Sequence, residues 1–208
     1  MRSLSLLVAA LLLGVASTPS GAEPFTGQKA AEEKAVNLCS SCHGPRGISI
    51  SPEFPNLAAQ RAAYFVRQIE AFRNHSRAER DAHDFMWGVA AQLDPSVVES
   101  LAQYYAMQAP AKGRAGESSL SMKGKELFES GAPDRGVPAC ATCHGPNAEG
   151  SEQFPRLAGQ HAKYVVKQLR AIGTGERGNA ALHGVIQGLA PAEAQAVAVY
   201  VQSLGKSY

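Results

Sequence analysis

Two short stretches, Cys39-Ser-Ser-Cys42-His43 and Cys140-Ala-Thr-Cys143-His144, contain every cysteine of this 208-residue chain. Two thiols that are two residues apart can form thioether bonds to the vinyl groups of one porphyrin, and the next histidine can then bind the iron. A lone Cys-x-x-Cys pair also suits a redox disulfide or half of a zinc site, but two copies followed by histidine favour haem. Two disulfides are the weaker alternative. The pattern predicts two covalently bound haem c groups, attached through Cys39, Cys42, Cys140 and Cys143, with His43 and His144 as proximal iron ligands.

The N-terminus has the features of a secretory signal. Arg2 precedes an apolar run from Leu4 to Val15, and the small residues that follow suit cleavage after Ala22. The run is short for a membrane span, so an uncleaved anchor is the weaker alternative. Removing residues 1–22 lowers the formal net charge from +2 to +1, which gives no indication of a nucleic-acid partner and leaves peripheral membrane contact open. Export to the periplasm is expected, and it fits haem c, which is attached outside the cytoplasm.

The chain consists of two copies of one unit. The stretch Phe54-Pro55-Asn56-Leu57-Ala58-Ala59-Gln60 recurs as Phe154-Pro155-Arg156-Leu157-Ala158-Gly159-Gln160, and the haem motif recurs upstream of each. The offset between the copies falls from 101 residues at His43 to 96 residues at Leu93, which pairs with Leu189. Most of this shortening falls in the second copy after Gln168.

Each copy is predicted to be small and helical. Residues 61–72 and 161–172 carry apolar side chains at helical spacing. Asp94-Pro95 and Ala190-Pro191 are predicted to begin the last helix of each copy, with Asp94 as an N-cap. The predicted organisation is a signal peptide (1–22), a first domain (23–108), a linker rich in small residues and lysine (109–121) and a second domain (122–208).

These features resemble class I cytochrome c domains, in which a helix, a CxxCH motif, a Phe-Pro-x-Leu stretch, a methionine loop and an aromatic-bearing helix follow one another. Two such domains in tandem resemble the cytochrome c4 family of periplasmic dihaem electron carriers. The resemblance covers essentially all of the chain after the signal. It implies an all-α fold of two tandem class I cytochrome c domains, each wrapped around one covalently attached haem.

The resemblance also implies roles for residues around each haem. The carbonyls of Pro55 and Pro155 are expected to accept the Nδ1–H of the proximal histidine and so to orient its ring, although prolines that only turn the chain are the alternative. Arg77 and Arg177 are the favoured partners of the haem propionates, and a solvated charged surface is the alternative. His75 and His161 have no assigned role and are expected to be exposed.

The distal iron ligands distinguish the two copies. Met86 lies seven residues before Leu93, where the family has its axial methionine, and His83 is the second candidate. The matching position of the second copy is Leu182, which cannot bind iron, and the next residue is His183. We predict His183 as the second distal ligand and expect a lower potential for that haem. An open iron beneath Leu182, or ligation by His161 or a lysine, are the alternatives.

The leading functional prediction is electron transfer without substrate chemistry. The expected partners are redox proteins: a quinol-oxidising complex, a terminal oxidase or a periplasmic dehydrogenase. No cysteine remains to bind iron and no long insertion suggests a substrate pocket, so the chain is not expected to be an enzyme. The alternative is a dihaem enzyme, or a protein that binds a gas or peroxide at an open second haem, with His183 as acid–base group.

Overall fold

The computed structural model describes residues 27–205, so the predicted signal peptide lies outside the described residues. Within this range the regular elements are helical, and backbone pairing of the β type is limited to isolated bridges. No helix among these residues is both long enough and apolar enough to cross a membrane. The all-α prediction is confirmed.

The same order of helices occurs in both halves of the chain. The first half contains α1 (Gln28–Lys34), α2 (Ser40–His43), α3 (Ala62–Arg73), α4 (Trp87–Ala91) and α5 (Pro95–Ala106). The second half contains α6 (Ser118–Ser130), α7 (Ala141–His144), α8 (Ala162–Gly173), α9 (Ala180–Gln187) and α10 (Pro191–Ser203). Two π-helical turns, Ala35–Cys39 before α2 and Ala82–Met86 before α4, occur in the first half.

Each half has its own apolar core, built by corresponding helices. Helices α1 and α3 pack on α5, where the rings of Phe65 and Tyr105 lie 5.7 Å apart between centroids. Helices α6 and α8 pack on α10, where Phe128 and Tyr200 lie 5.5 Å apart. The aromatic residue on each last helix therefore anchors the core of its own half.

Two local predictions differ from the structure. Helix α6 begins at Ser118, inside the predicted linker, because Leu120 packs against the second core and so draws its turn into the helix. Asp94 precedes α5 as expected, but its side chain makes no capping hydrogen bond. In the second half Glu193 reaches back instead and accepts a 3.0 Å hydrogen bond from the backbone N–H of Ala190.

Two glutamines, Gln60 and Gln160, join the halves in a symmetrical way. The Gln60 amide donates to the carbonyl of Arg156 (3.1 Å) and accepts from its N–H (2.8 Å). The Gln160 amide donates to the carbonyl of Asn56 (3.0 Å) and accepts from its N–H (2.9 Å). Each glutamine is the last residue of the repeated Phe-Pro stretch, so each copy of the stretch forms hydrogen bonds with the other copy.

His161 lies in this interface, and the expectation that it is exposed was wrong. Its side chain is buried, and Nε2 donates to the backbone carbonyl of Ser49 in the first half at 3.0 Å. His161 directly follows Gln160, and the bonds of Gln160 to the first half therefore place the imidazole in the contact between the halves. His75 is exposed, as expected, and stacks on Trp87.

Candidate haem-binding sites

The two proximal histidines make the same hydrogen bond. Nδ1 of His43 donates to the carbonyl of Pro55 at 2.9 Å, and Nδ1 of His144 donates to the carbonyl of Pro155 at 3.0 Å. Burial lowers the pKa of both imidazoles, and the hydrogen bond to the proline carbonyl opposes this. Each ring is therefore neutral near pH 7, with Nε2 left as the atom that can bind a metal.

The residues beside each histidine complete a matching frame. The ring of Phe54 meets His43 edge-on at 6.2 Å, and the ring of Phe154 meets His144 at 5.9 Å. A glycine with positive φ ends the short helix after each histidine, at 73° for Gly44 and 80° for Gly145. This conformation is easy only for glycine, and it turns the chain sharply away from the motif.

The two cysteines of each motif lie within the helical turn that ends at the histidine, and they form no disulfide with one another. Burial raises the pKa of Cys39, and it raises the pKa of Cys140 to about 11. Two thiols at this spacing, with an imidazole whose Nε2 is available, form the donor set of a covalently attached haem c. The residues of both sites therefore fit this group.

Known proteins share this arrangement. The cytochrome c family model matches residues 121–205. Cytochrome c4 of Thiocapsa roseopersicina is 37% identical over 198 residues, which is 92% of this chain and 97% of that protein. The chain belongs to the cytochrome c4 family. The crystal structure of reduced recombinant cytochrome c4 from Pseudomonas stutzeri has a TM-score of 0.77 and 32% identity, covering 85% of this chain and 97% of that one.

A second relative has a name that describes a redox partner. A thiosulfate dehydrogenase electron acceptor of Stutzerimonas stutzeri is 32% identical over 206 residues, or 96% of this chain and 93% of that protein. Membership of the cytochrome c4 family confirms the predicted cofactors, two covalently bound haem c groups, and the fold of two cytochrome c domains. The family resemblance inferred from the repeated motifs is therefore confirmed.

On the distal side of the first domain, the structure separates Met86 from His83. Met86 ends the π-helical turn, is half-buried and packs against the first core. The His83 side chain is 62% exposed, and its Nδ1 lies 2.8 Å from Asp84 Oδ1. Trp87 donates from Nε1 to the carbonyl of Arg77 at 2.8 Å, which ties α4 to the chain after α3. Of the two candidates, Met86 is the one that faces the interior.

On the distal side of the second domain, the predicted ligand His183 faces a neighbouring helix. Its Nδ1 donates to the carbonyl of Ile172, at the end of α8, over 2.8 Å, and the residue as a whole is exposed. Leu182 is half-buried and occupies the position that Met86 has in the first domain. The side chain of Asn179 accepts a 3.1 Å hydrogen bond from the Leu182 N–H and so sets the register of α9.

Arg77 and Arg177 meet in the contact between the domains, and both are buried. Arg77 donates to Glu79 (2.9 Å from Nε) and to Gln168 (2.9 Å). Arg177 donates to Gln168 (2.6 Å) and, on the other domain, to Gln68 (2.8 Å) and the hydroxyl of Tyr64 (2.7 Å). Neither arginine lies on a solvated surface, which removes that alternative.

Sequence reasoning did not find the residues that build this interface. Tyr64 and Gln68 align with Tyr164 and Gln168 in the repeat, so the signal was present as paired polar residues on α3 and α8. Helical periodicity shows that these polar residues lie outside the core of their own domain. It does not show that a second domain covers them.

Proposed function

We propose that this cytochrome c4 family member is an exported electron carrier of a respiratory chain. It receives electrons from a periplasmic dehydrogenase or a quinol-oxidising complex and passes them to a terminal acceptor such as an oxidase. The observation that carries this proposal is the pair of equivalent proximal sites, each with a histidine bonded to a proline carbonyl, in two domains joined by reciprocal hydrogen bonds. A bound haem c supplies an iron that gains and loses one electron.

The protein residues supply orientation and a low-polarity environment. The bonds from Nδ1 to Pro55 and Pro155 hold each imidazole plane and raise the electron-donating strength of Nε2. The glutamine bridges and the arginine cluster hold the two domains in one arrangement. Little reorganisation is then needed when an electron enters or leaves, which suits a carrier.

Met86 is the proposed distal ligand of the first haem, because it is the candidate that points into the core. A thioether ligand stabilises ferrous iron and raises the potential. His83 stays at the surface, beside Asp84.

Arg77 and Arg177 are the proposed partners of the haem propionates. Among the described residues, the hydrogen bonds of this buried cluster join two guanidinium groups to one carboxylate, that of Glu79. A buried excess of positive charge is costly unless an anion balances it. Propionate groups at the domain contact provide such an anion, and arginine binds carboxylates in a fixed fork geometry.

The comparisons favour a dehydrogenase as one donor. Cytochrome c4 relatives are electron carriers, and a relative that shares nearly the whole chain is named as the electron acceptor of thiosulfate dehydrogenase. We therefore place a periplasmic sulfur-oxidising dehydrogenase first among the donor classes. The apolar run at Leu4–Val15 supports export, and N-terminal sequencing of the protein from a periplasmic extract tests cleavage after Ala22.

The experiment is donor-dependent reduction of the purified dihaem protein. A catalytic amount of thiosulfate dehydrogenase is added with thiosulfate, and reduction is followed in the α-band of the ferrous haem. We expect complete reduction at a rate proportional to dehydrogenase concentration, and reoxidation on adding an oxidase. The controls omit thiosulfate, or replace the protein with an unrelated monohaem cytochrome. A protein that dithionite reduces, but that neither this donor nor a quinol-oxidising complex reduces, contradicts the proposal.

A further inference from the structure

The core-facing side of α9 carries only aliphatic residues. Val185 on α9 and Leu189 just after the end of α9 pack against the second core, and Leu182 lies three residues before Val185 on the same face of the helix. In the first domain, Met86, Val89 and Leu93 have the same spacing and all pack against the first core. Leu182 therefore takes the place of Met86 by helical register as well as by alignment.

His183 lies on a different face of α9, and the side chains of that face contact the end of α8. His183 and Gln187, one turn apart, both bond to the end of α8. Nδ1 of His183 donates to the carbonyl of Ile172 at 2.8 Å, and the Gln187 amide donates to the carbonyl of Gly173 at 3.1 Å. Carbonyls in the last turn of a helix lack partners within that helix, so these two side chains serve as a cap for α8.

Adjacent residues of a helix point about 100° apart, which follows from 3.6 residues per turn. Placing His183 where Leu182 stands needs a rotation of α9 by that angle. Such a rotation breaks the contacts with Ile172 and Gly173 and the Asn179 cap on Leu182. It also meets resistance at Gly173, where even a methyl group added to the glycine would lie 3.0 Å from Ile186. The rotational position of α9 is therefore fixed by contacts at its start and at its end.

Trp87 of the first domain supports this assignment. It aligns with His183, and it too donates a ring N–H to a backbone carbonyl of the preceding segment, that of Arg77. In both domains the residue after the distal position therefore ties its helix to a backbone carbonyl of the preceding part of the chain. Among the described residues of the second domain, His161 is bonded to Ser49, and Lys163 and Lys167 are bonded to Glu53. Met122 is 68% exposed on α6.

We propose that the second haem iron lacks a distal protein ligand and forms a binding site for a small uncharged diatomic molecule of the carbon monoxide or nitric oxide class. Leu182 makes the site apolar and selects small neutral ligands, since the aliphatic stripe of α9 offers neither charge nor a hydrogen-bond donor. His183 is a positioning residue that fixes α9. This inference rests on haem attachment at Cys140 and Cys143, and it goes beyond the carrier function.

The test uses the full dihaem protein and carbon monoxide as the probe. The haem content is first measured as the pyridine haemochrome, to establish two haems per chain. We expect the near-infrared magnetic circular dichroism of the ferric protein to show one His/Met haem and one high-spin haem. The ferrous protein is expected to bind one carbon monoxide per chain.

Three variants separate the roles of the residues. Leu182→Met is expected to abolish the high-spin signal and carbon monoxide binding, by supplying the missing thioether. His183→Gln keeps a donor for the Ile172 carbonyl but no imidazole, and it is expected to leave both signals as in the wild type. Met86→Leu is the matched control that opens the first haem and raises carbon monoxide uptake to two per chain.

Two low-spin haems in the wild type overturn the inference. If His183→Gln then yields a high-spin haem, His183 is the ligand, and if it does not, another residue is. A chain that carries one haem also overturns it, because the site then does not exist. Reduction by the dehydrogenase is measured separately, so a failure of the carrier proposal is distinguishable from each of these results.

Discussion

The two domains have the same proximal side and different distal sides. His43 and His144 make the same bond to a proline carbonyl, within 0.1 Å in length. The segment that leads to the distal position forms a π-helical turn ending at Met86 in the first domain, but it runs through the regular helix α9 in the second. A π-turn holds an extra residue and is often found at functional sites. A duplicated domain can therefore keep its attachment chemistry while its distal helix changes.

The largest effect is expected from removing the methionine that distinguishes the first domain. We predict that Met86→Leu abolishes the methionine-to-iron absorption band and lowers the potential of the first haem, because the thioether that favours ferrous iron is lost. The shift falls within the range of about 0.8 V that axial ligands span. Spectroelectrochemistry measures both quantities. His83→Gln is the control, and a loss of the band in that variant instead would show that the assignment of Met86 is wrong.

The arginine cluster is a second place where the domains differ. Arg77 is paired with the buried carboxylate of Glu79, whereas the hydrogen bonds of Arg177 go to the neutral side chains of Gln168, Gln68 and Tyr64. Arg77→Met leaves the buried charge of Glu79 without its partner, and we expect a loss of about 3–5 kcal/mol in the free energy of unfolding. Arg177→Met removes charge-assisted hydrogen bonds, which is expected to cost about 1.5–3 kcal/mol.

Chemical denaturation of the dihaem protein measures these losses. The double variant Arg77→Met with Glu79→Met is the matched control, and we expect it to recover part of the stability because the carboxylate of Glu79 is removed together with its partner. Equal losses of stability in Arg77→Met and Arg177→Met would show that leaving the Glu79 carboxylate without its partner adds no cost.

The hydrogen bonds of Gln60 and Gln160 are a feature that the two domains share. Gln60→Leu removes the two hydrogen bonds to the backbone of Arg156, and Gln160→Leu removes the two hydrogen bonds to the backbone of Asn56. We expect each variant to lose about 1–3 kcal/mol of stability, and the two losses to be similar. Thermal unfolding of both variants checks this. A large loss for only one of them would show that the interface is not symmetrical in energy.

The smallest effect is expected at the surface, where Glu53 of the first domain binds Lys163 and Lys167 of the second. Hydrogen bonds from Lys163 and then Lys167 hold the pKa of Glu53 below its usual value. Its contribution to stability is therefore complete above the pKa of an unfolded glutamate, and it is lost as the pH falls through the lower folded value.

We predict that Glu53→Gln lowers the melting temperature slightly at neutral pH and low salt. The difference from the wild type should vanish in acid, and also in 1 M salt, where the Debye length is about 3 Å. Melting curves over a pH and salt series measure it. A difference that persists in high salt would indicate packing rather than charge.

The cofactor, the duplication and the helical character of both halves could be predicted from the amino-acid sequence. Cys-x-x-Cys-His is local chemistry, in which the spacing of thiols and imidazole along the chain already specifies the donor set. Periodic apolar residues likewise marked α3 and α8 to within a residue at each end, because such a pattern needs only one buried face. The start of α6 was missed because Ser118 and its neighbours have weak helix propensity and are drawn into the helix by packing.

The tertiary structure alone decided which side chains face the other domain and which face of α9 meets the core. His161 has the sequence context of a surface residue, but the first domain covers it, because burial depends on partners distant in the chain. His183 and Leu182 are neighbours in sequence, and only the contacts of α9 with α8 and with the second core separate their roles. A one-residue change in helical register turns a side chain through about 100°, and that register is set by packing and capping.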